Sequence, residues 1–368
     1  MIVESLELNN FRNYENEKLS FDRKINIIYG NNAQGKTNIL EAVYLFSLGK
    51  SNRAYHDSDM IRFEMPEAKL TMDFFSGERK NKGEIFLYRN KRKRIMINEI
   101  PVKKNSELVG KFNVVYFGPE YLSLIKDGPK KRRKNIDILI SQLKYGYLAA
   151  ISEYKRIIEH KSNLLKNDRP DMLFLSVLNE KIIDISYSII RYRYEYILKT
   201  EEIAKKIQNE ISGGKEELGM EYISCSLKIN DDIIKNLHSL LEEKMKRVFE
   251  KEIRNRECIF GPHRDDIVFK INGADLKSFG SQGQQKTGIL VQKIAEVELF
   301  KQETGEYPVL LLDDIMSELD NLRQDYVLNK IDKMQIFITC TDSERFKNLR
   351  NGKFTHIEKG RVIGCTCI

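Results

Sequence analysis

No cysteine pairing pattern runs through this sequence. Its five cysteines, Cys225, Cys258, Cys340, Cys365 and Cys367, are scattered and form no C-x-x-C. That argues against a disulfide framework or a zinc site and fits a reducing cytosol. No apolar run approaches the ~18 residues a membrane span needs, and the N-terminus carries no signal-peptide pattern. A cytoplasmic protein with no membrane partner is therefore expected. The closing Cys365-Thr366-Cys367-Ile368 matches a prenylation box in form only, because the residues before it read as a closing strand. His160, His238 and His356 read as ordinary surface or core residues. His263 has no companion ligands that would make it a metal site. Neither sign of charge dominates: 62 Lys and Arg oppose 54 Asp and Glu, leaving +8. A soluble surface explains that excess by itself. What the chain does have is length, 368 residues at 41% hydrophobic content, enough for a large core in about two or three lobes.

The most informative stretch spans residues 25–48. An apolar run, Ile25-Asn26-Ile27-Ile28-Tyr29, precedes Gly30-Asn31-Asn32-Ala33-Gln34-Gly35-Lys36-Thr37, and a mostly apolar helical pattern follows Asn38. Strand, G-x-x-x-x-G-K-T loop and helix form the context that gives a phosphate-binding loop its meaning. Gly30 and Gly35 allow a tight turn with N–H groups facing phosphate oxygens. The helix N-terminus adds partial positive charge. Lys36 is expected on the β- and γ-phosphates and Thr37 on Mg²⁺. A second hydrophobic run, Val309-Leu310-Leu311-Leu312, ends in Asp313 and Asp314. It predicts a buried parallel strand that brings Asp313 to the same Mg²⁺ and Asp314 to an attacking water. Nearly the whole chain separates Lys36 from Asp313, so the fold must accommodate a large insertion.

The chain divides by pattern into three stretches. Residues 1–118 alternate as strands around the loop. Residues 119–256 are dominated by helical periodicity and read as an inserted helical lobe. Residues 257–368 return to strands and complete the first lobe. Within the last stretch, Ser278-Phe279-Gly280-Ser281-Gln282-Gly283-Gln284-Gln285 opens a helix pattern, where small residues expose N–H groups to an anion or cap the helix. Ser317-Glu318-Leu319-Asp320 follows the two carboxylates.

P-loop, S-x-G-Q, carboxylate-ended strand and S-x-L-D, in that order, resemble the ATP-binding-cassette ATPases. With Asn10-Phe11-Arg12-Asn13-Tyr14 and Gly261-Pro262-His263-Arg264-Asp265-Asp266 added, the chain resembles the RecF family, recombination-mediator ATPases related to the SMC proteins. The resemblance implies an α/β fold: an ABC-type, SMC-head-like P-loop lobe with a mixed sheet, plus an inserted mainly helical lobe. It implies ATP and Mg²⁺ as cofactors and an ATP-dependent homodimer. It further implies binding of duplex DNA and of junctions with single strands, and work with RecO and RecR in loading RecA. Gly30 through Asn38 would then hold the nucleotide, with Arg12 beside it. Ser281, Gly283 and Gln284 would reach the γ-phosphate of the other copy, and Asp320 would lie at the seam. Asp314 stands where many cassette ATPases have glutamate, and Thr341 where they have a switch histidine. Both departures imply slow hydrolysis, hence a switch rather than a motor. The rival readings fit less well. A transporter subunit has no use for so long a helical insertion, and an SMC-like structural DNA tether needs far longer coiled coils. A small-molecule phosphotransferase leaves Ser281 to Gln285 unexplained.

Two basic clusters, Arg89-Asn90-Lys91-Arg92-Lys93-Arg94 and Lys130-Lys131-Arg132-Arg133-Lys134, suit a sequence-blind polyanion binder. Arg92, Lys93 and Arg94 sit between predicted strands. Lys131, Arg132 and Arg133 sit at a helix start, where they oppose the dipole. That arrangement hints at a nearby anion. No base-reading motif is present, so backbone and shape recognition is expected.

Overall fold

The computed structural model describes residues 1–330, 333–346 and 352–367, and residues 1–121 with 296–368 cluster as unit 1 and residues 122–295 as unit 2. The chain begins with strands β1 (Ile2–Phe11), β2 (Tyr14–Ser20) and β3 (Ile25–Tyr29) and helix α1 (Lys36–Leu48). It continues through β4 (Glu67–Ser76), β5 (Arg79–Tyr88), β6 (Arg94–Ile97), β7 (Ile100–Val102), β8 (Val114–Phe117) and a single turn, α2 (Pro119–Leu122). Helices α3 (Pro129–Leu143), α4 (Tyr145–Leu165) and α5 (Met172–Ser212) come next, followed by β9 (Leu218–Ser224) and β10 (Leu227–Lys228). Then come α6 (Asp231–Lys235), α7 (Leu237–Asn255), β11 (Asp266–Ile271), β12 (Ala274–Asp275), α8 (Leu276–Phe279) and α9 (Gln282–Thr304). The chain closes with β13 (Val309–Asp313), α10 (Asn321–Lys330), β14 (Ile336–Cys340), β15 (Lys353–Glu358) and β16 (Arg361–Cys367). β16 is the closing strand the sequence predicts; Ile368, the last residue of the formal prenylation box, lies outside the described residues.

Unit 1 is built on a sheet of order β16-β15-β3-β14-β13-β8. Apart from the antiparallel edge strand β16, its strands are parallel. Parallel strands are covered on both faces, which is why β3, β8, β13 and β14 read as nearly continuous apolar runs. A second, antiparallel sheet has the order β2-β1-β4-β5-β6-β7 and accounts for much of the strand alternation read in residues 1–118. Helix α1 packs between the two sheets. Its apolar residues, from Ile39 to Phe46, share one core with Leu6, Leu70 and Ile85 of the antiparallel sheet and with Leu311 and Phe337 of the parallel one. A helix that is apolar on every side has no solvent face to present. The fit is close: a Cβ on Gly83 of β5 would meet the Phe46 ring at 2.8 Å.

Unit 2 carries α3, α4, α5 and α7, with α5 running 41 residues. It also holds a four-stranded sheet, β10-β9-β11-β12. The expected return to the first lobe at residue 257 therefore comes later, at 296. β11 pairs with β9 over Asp266–Ile271, so residues 257–295 complete the insertion instead of the P-loop lobe.

The Gly261–Asp266 text is explained within this unit. Arg193 of α5 is 1% exposed and donates to Asp137 Oδ1 at 2.8 Å, Asp265 Oδ2 at 2.6 Å, Pro262 O at 2.7 Å and Tyr147 Oη at 3.0 Å. Tyr222 of β9 also donates to Asp265. Arg132 makes a fork to both oxygens of Asp266, at 2.7 and 2.9 Å, and its Nη1 reaches the carbonyls of Leu124, Ile125 and Asp127. This corrects the assignment of Arg132 to DNA. The side chain is buried, and its donors are spent joining α3 to β11. A planar guanidinium fork suits such bidentate pairing and a lysine does not.

His263 is held in its neutral form. Nε2 faces Cys258 O at 3.2 Å, so Nδ1 accepts from Tyr154 Oη at 2.6 Å. Burial pushes the imidazole below its ordinary value, and Arg264 and Arg133 reinforce the shift. The unfolded chain then binds a proton that the folded chain refuses. Stability present above the unfolded value of ~6.5 should decline as pH falls toward the folded value. Urea melts of the wild type and His263→Gln between pH 7.5 and 5 should show this decline only in the wild type; equal pH slopes would refute it. Replacing Arg193 by Met leaves Asp265 buried without its cation, which should cost about 3–5 kcal/mol in the same melts.

Candidate functional site

The P-loop leaves the C-terminal end of β3 and enters α1. Gly30 and Gly35 have φ of +148° and +113°. A Cβ on Gly30 would lie 2.3 Å from Ile357 O, and one on Gly35 would lie 2.7 Å from the Asn13 amide. Neither position admits another residue without displacing its neighbours. Between them Asn31, Asn32 and Ala33 are exposed. The apex is latched from both sides. Asn13 Nδ2 and Gly360 N donate to Gln34 O, at 2.8 and 3.0 Å, and Lys359 N donates to Gln34 Oε1 at 2.6 Å. Asn38 of α1 donates to Asn13 Oδ1 at 2.8 Å and so braces the same latch. Lys36 is 4% exposed, and its ammonium donates to Gly30 O at 2.7 Å and Asn31 O at 3.0 Å.

Asp313 closes the site at the C-terminal end of β13. Strand order explains its arrival: β14 pairs with both β3 and β13, so P-loop and carboxylate emerge at the same sheet edge one strand apart. Ligands of open parallel sheets bind at that edge. Asp313 Oδ1 accepts from Thr37 Oγ1 at 2.8 Å and from Thr339 Oγ1 at 2.7 Å, and Oδ2 accepts from Tyr116 Oη at 3.0 Å. Thr339 is the register neighbour of Asp313, and its Oγ1 also accepts from Asp314 N at 2.9 Å. Asp314 adopts φ +50°, a left-handed turn that ends the strand. Burial and the neighbouring Asp313 raise its carboxyl above the ordinary range, against the pull of Lys36. A carboxylate raised in this way is the stronger base at neutral pH.

Sequence reasoning missed three members. Tyr116 and Thr339 each place a hydroxyl near the end of an otherwise apolar strand, a weak but readable signal. Glu41 is a lone carboxylate on an otherwise apolar helix. It is 1% exposed and binds Arg12 through both oxygens, at 2.7 and 2.8 Å, and also accepts from Ser51. Arg12 gives its Nη1 to Asp59 O at 2.7 Å. It therefore stands clamped beside the start of α1, in a left-handed conformation.

Other expected site residues occupy local structures. In unit 2, Ser281 and Gln284 form a reciprocal capping box at the start of α9. Gln284 N donates to Ser281 Oγ at 3.2 Å and Ser281 N to Gln284 Oε1 at 2.9 Å. Gln284 Nε2 continues to Glu216 at 2.9 Å. Ser281 and Gly283 are exposed. In unit 1, Asp320 precedes α10 and accepts from Arg323 N at 3.0 Å. Thr341 is exposed just past β14. Of the first basic cluster, Arg92 and Arg94 are exposed, while Lys93 pairs with Asp57 at 2.9 Å. Of the second, Lys131 is exposed and pairs with Asp127 at 2.6 Å, and Arg133 is partly buried.

The donor set fits a triphosphate with a hard divalent cation. Thr37 and Asp313 supply adjacent oxygens, and Mg²⁺ characteristically takes one or two protein oxygens while phosphates and waters complete its shell. Among the described residues, no group of three or more His, Cys, Asp or Glu could hold a metal without such help. Among the described residues the buried Lys36 ammonium donates its hydrogen bonds to two main-chain carbonyls, neutral acceptors that a phosphate would improve on.

The RecF/RecN/SMC N terminal domain family matches residues 2–361. The DNA replication and repair protein RecF of Clostridium acetobutylicum is 41% identical over 98% of this chain and 99% of its own length. Its counterpart in Listeria innocua is also 41% identical, with the same coverage. Among solved structures, the recombination mediator protein RecF with ATP, of the RecFOR pathway, superposes with a TM-score of 0.89 at 32% identity, covering 100% of this chain and 97% of that one. An Smc head bound to the C-terminal winged-helix domain of ScpA shares the fold, with a TM-score of 0.58 at 16% identity, covering 100% of this chain and 98% of that one. No described helix is long and apolar enough to cross a membrane. With the P-loop glycines, Lys36 and two carboxylates meeting at one sheet edge and relatives covered along nearly the full length, the chain belongs to the RecF family of DNA replication and repair proteins.

Proposed function

We propose that this chain is an ATP-driven DNA-binding switch of recombinational repair and replication, working in the cytoplasm on the nucleoid. The observation that carries the reading is the 2.8 Å contact between Thr37 and Asp313. It joins distant parts of the chain in the arrangement that Mg²⁺-nucleotide chemistry requires. ATP is the nucleotide because the RecF structure compared above is one with ATP.

The residues divide the work. Lys36 exchanges its two carbonyl partners for phosphate oxygens, gaining a charge-assisted contact. Thr37 and Asp313 hold Mg²⁺, which when bound neutralises developing charge on the phosphates. Tyr116 and Thr339 keep the Asp313 carboxylate oriented, and Glu41 keeps Arg12 beside the loop. Asp314 orients the attacking water and takes its proton on a carboxylate oxygen. Its short side chain and the absence of histidine at Thr341 support slow turnover. Ser281, Gly283 and Gln284 of a second copy complete the site, and Asp320 lies at the seam. Such an isologous dimer closes on two nucleotides, and ATP promotes it by mass action. The closed dimer binds duplex DNA and duplex–single-strand junctions and, with RecO and RecR, helps load RecA. An SMC-like structural tether is the alternative. It is disfavoured because α5, at 41 residues, reaches only ~60 Å.

Replacing Lys36 by Ala should weaken ATP binding about 10- to 100-fold, as expected for a charged contact of about 1.5–3 kcal/mol. Asp314→Asn should leave binding intact and slow hydrolysis by about 10²-fold or more. Fluorescent-ATP titration and phosphate release separate the two, and unimpaired hydrolysis in Asp314→Asn would remove the base assignment. Gel filtration with ATP should double the apparent mass and strengthen binding to gapped over single-stranded oligonucleotides. Ser281→Asp keeps a capping side chain but sets a negative charge against phosphate, so it should abolish the ATP-dependent doubling. A protein that stays monomeric in saturating ATP would sink the dimer mechanism.

A further inference from the structure

Unit 2 contains an open cavity of about 590 Å³ lined by Arg133, Lys166, Arg256, Arg264, His263 and Glu257, among others. Its charge is unbalanced. Glu257, the one carboxylate in that lining, is already bound by Arg264. Arg256 pairs at 3.0 Å with the highly exposed Asp168, a contact that contributes little in water. Arg133 gives one N–H to Asp265 O at 2.5 Å, and no described residue pairs with the Lys166 ammonium. Burial and the nearby Arg193 push the Arg133 guanidinium below its ordinary value, and Asp265, Asp266 and Asp137 offset this only in part.

The adjoining helix end adds to the imbalance. α3 starts at Pro129, which also lines the cavity, and its N-cap Gly128 offers no side-chain acceptor. Five cations, Lys130 to Lys134, crowd this positive helix end, each opposing the dipole. Arg132 is satisfied by Asp266 and Lys131 by Asp127. Arg133 is left at the cavity wall. The local field therefore favours an anion with several acceptor oxygens, and the volume admits a phosphate group with its flanking sugar.

We propose that this cavity is a phosphate oxyanion site, separate from the P-loop, that takes a backbone phosphate of a bound nucleic acid. Arg133 and Lys166 make the principal contacts, and Arg256 and Arg264 form the rim. The nucleic-acid source rests on the DNA-binding reading above. The oxyanion chemistry does not, since a free polyphosphate would satisfy the same groups.

The test uses the full chain with saturating ATP and a fluorescent duplex of about 30 base pairs, titrated between roughly 50 and 300 mM KCl. A parallel titration replaces the duplex by inorganic tripolyphosphate. Lys166→Glu and Arg133→Gln should each weaken duplex binding about tenfold and lower the salt slope by about one, as expected for one lost phosphate contact. Lys206→Glu, a matched charge reversal on α5 outside the cavity lining, should keep the wild-type slope. Fluorescent-ATP binding reports that each variant remains folded. Loss of tripolyphosphate binding with an unchanged duplex slope would reassign the site to a free polyphosphate. Wild-type slopes for both ligands in both cavity variants would overturn the site while leaving the DNA-binding reading intact. If the wild type binds no duplex, the DNA-binding reading falls, and tripolyphosphate alone decides the cavity.

Discussion

Three hydroxyls from three segments converge on one carboxylate, and much of unit 1 exists to make that possible. Thr37 comes from the first turn of α1, Thr339 from β14 and Tyr116 from β8, and all donate to Asp313. Hydroxyl donors on both oxygens offset much of the cost of taking this carboxylate out of water. The parallel order β3-β14-β13-β8 brings these groups to one edge, and apolar strands buried on both faces hold that order rigid. The P-loop, latched at Gln34 by Asn13 and by Gly360, is fixed against the same frame. Binding energy then need not be spent ordering the site when nucleotide arrives.

Unit 2 solves a different problem with the opposite charge. Its hub is a buried guanidinium, Arg193, which ties α5 to Asp137 on α3 and to Asp265 beside β11. Arg132 repeats the device with Asp266. Burying such pairs is expensive unless every donor is used, and here four acceptors share Arg193. The Gly261 to Asp266 segment, read in the sequence as part of the family resemblance, is therefore a structural clasp. Asp265 is bound through Oδ2 by Arg193 and Tyr222, and Asp266 through both oxygens by Arg132.

Much of the P-loop site is legible in the sequence. Lys36, Thr37 and Asp313 are read from a glycine spacing and a carboxylate-ended apolar run, patterns that depend only on chain neighbours. The alternating strands of residues 68–98 and the long helices are legible for the same reason. Tyr116, Thr339 and Glu41 are not, since a single polar residue in an apolar run looks alike whether it points into a site or caps a strand. Arg132 misleads for the complementary reason: within a run of five cations, composition cannot say which one turns inward.

Local patterns in the chain suffice for the family, for the strand-loop-helix that cradles phosphate, and for the presence of a large helical insertion. Each is encoded within about ten consecutive residues or in periodicity along one element. Where the insertion ends, which hydroxyls hold Asp313, and which cations remain available to an anion are settled by packing in three dimensions. Those outcomes turn on pairings such as β9 with β11, or Thr37 with Asp313. Their energies depend on groups brought together from distant parts of the chain, and no local pattern records them.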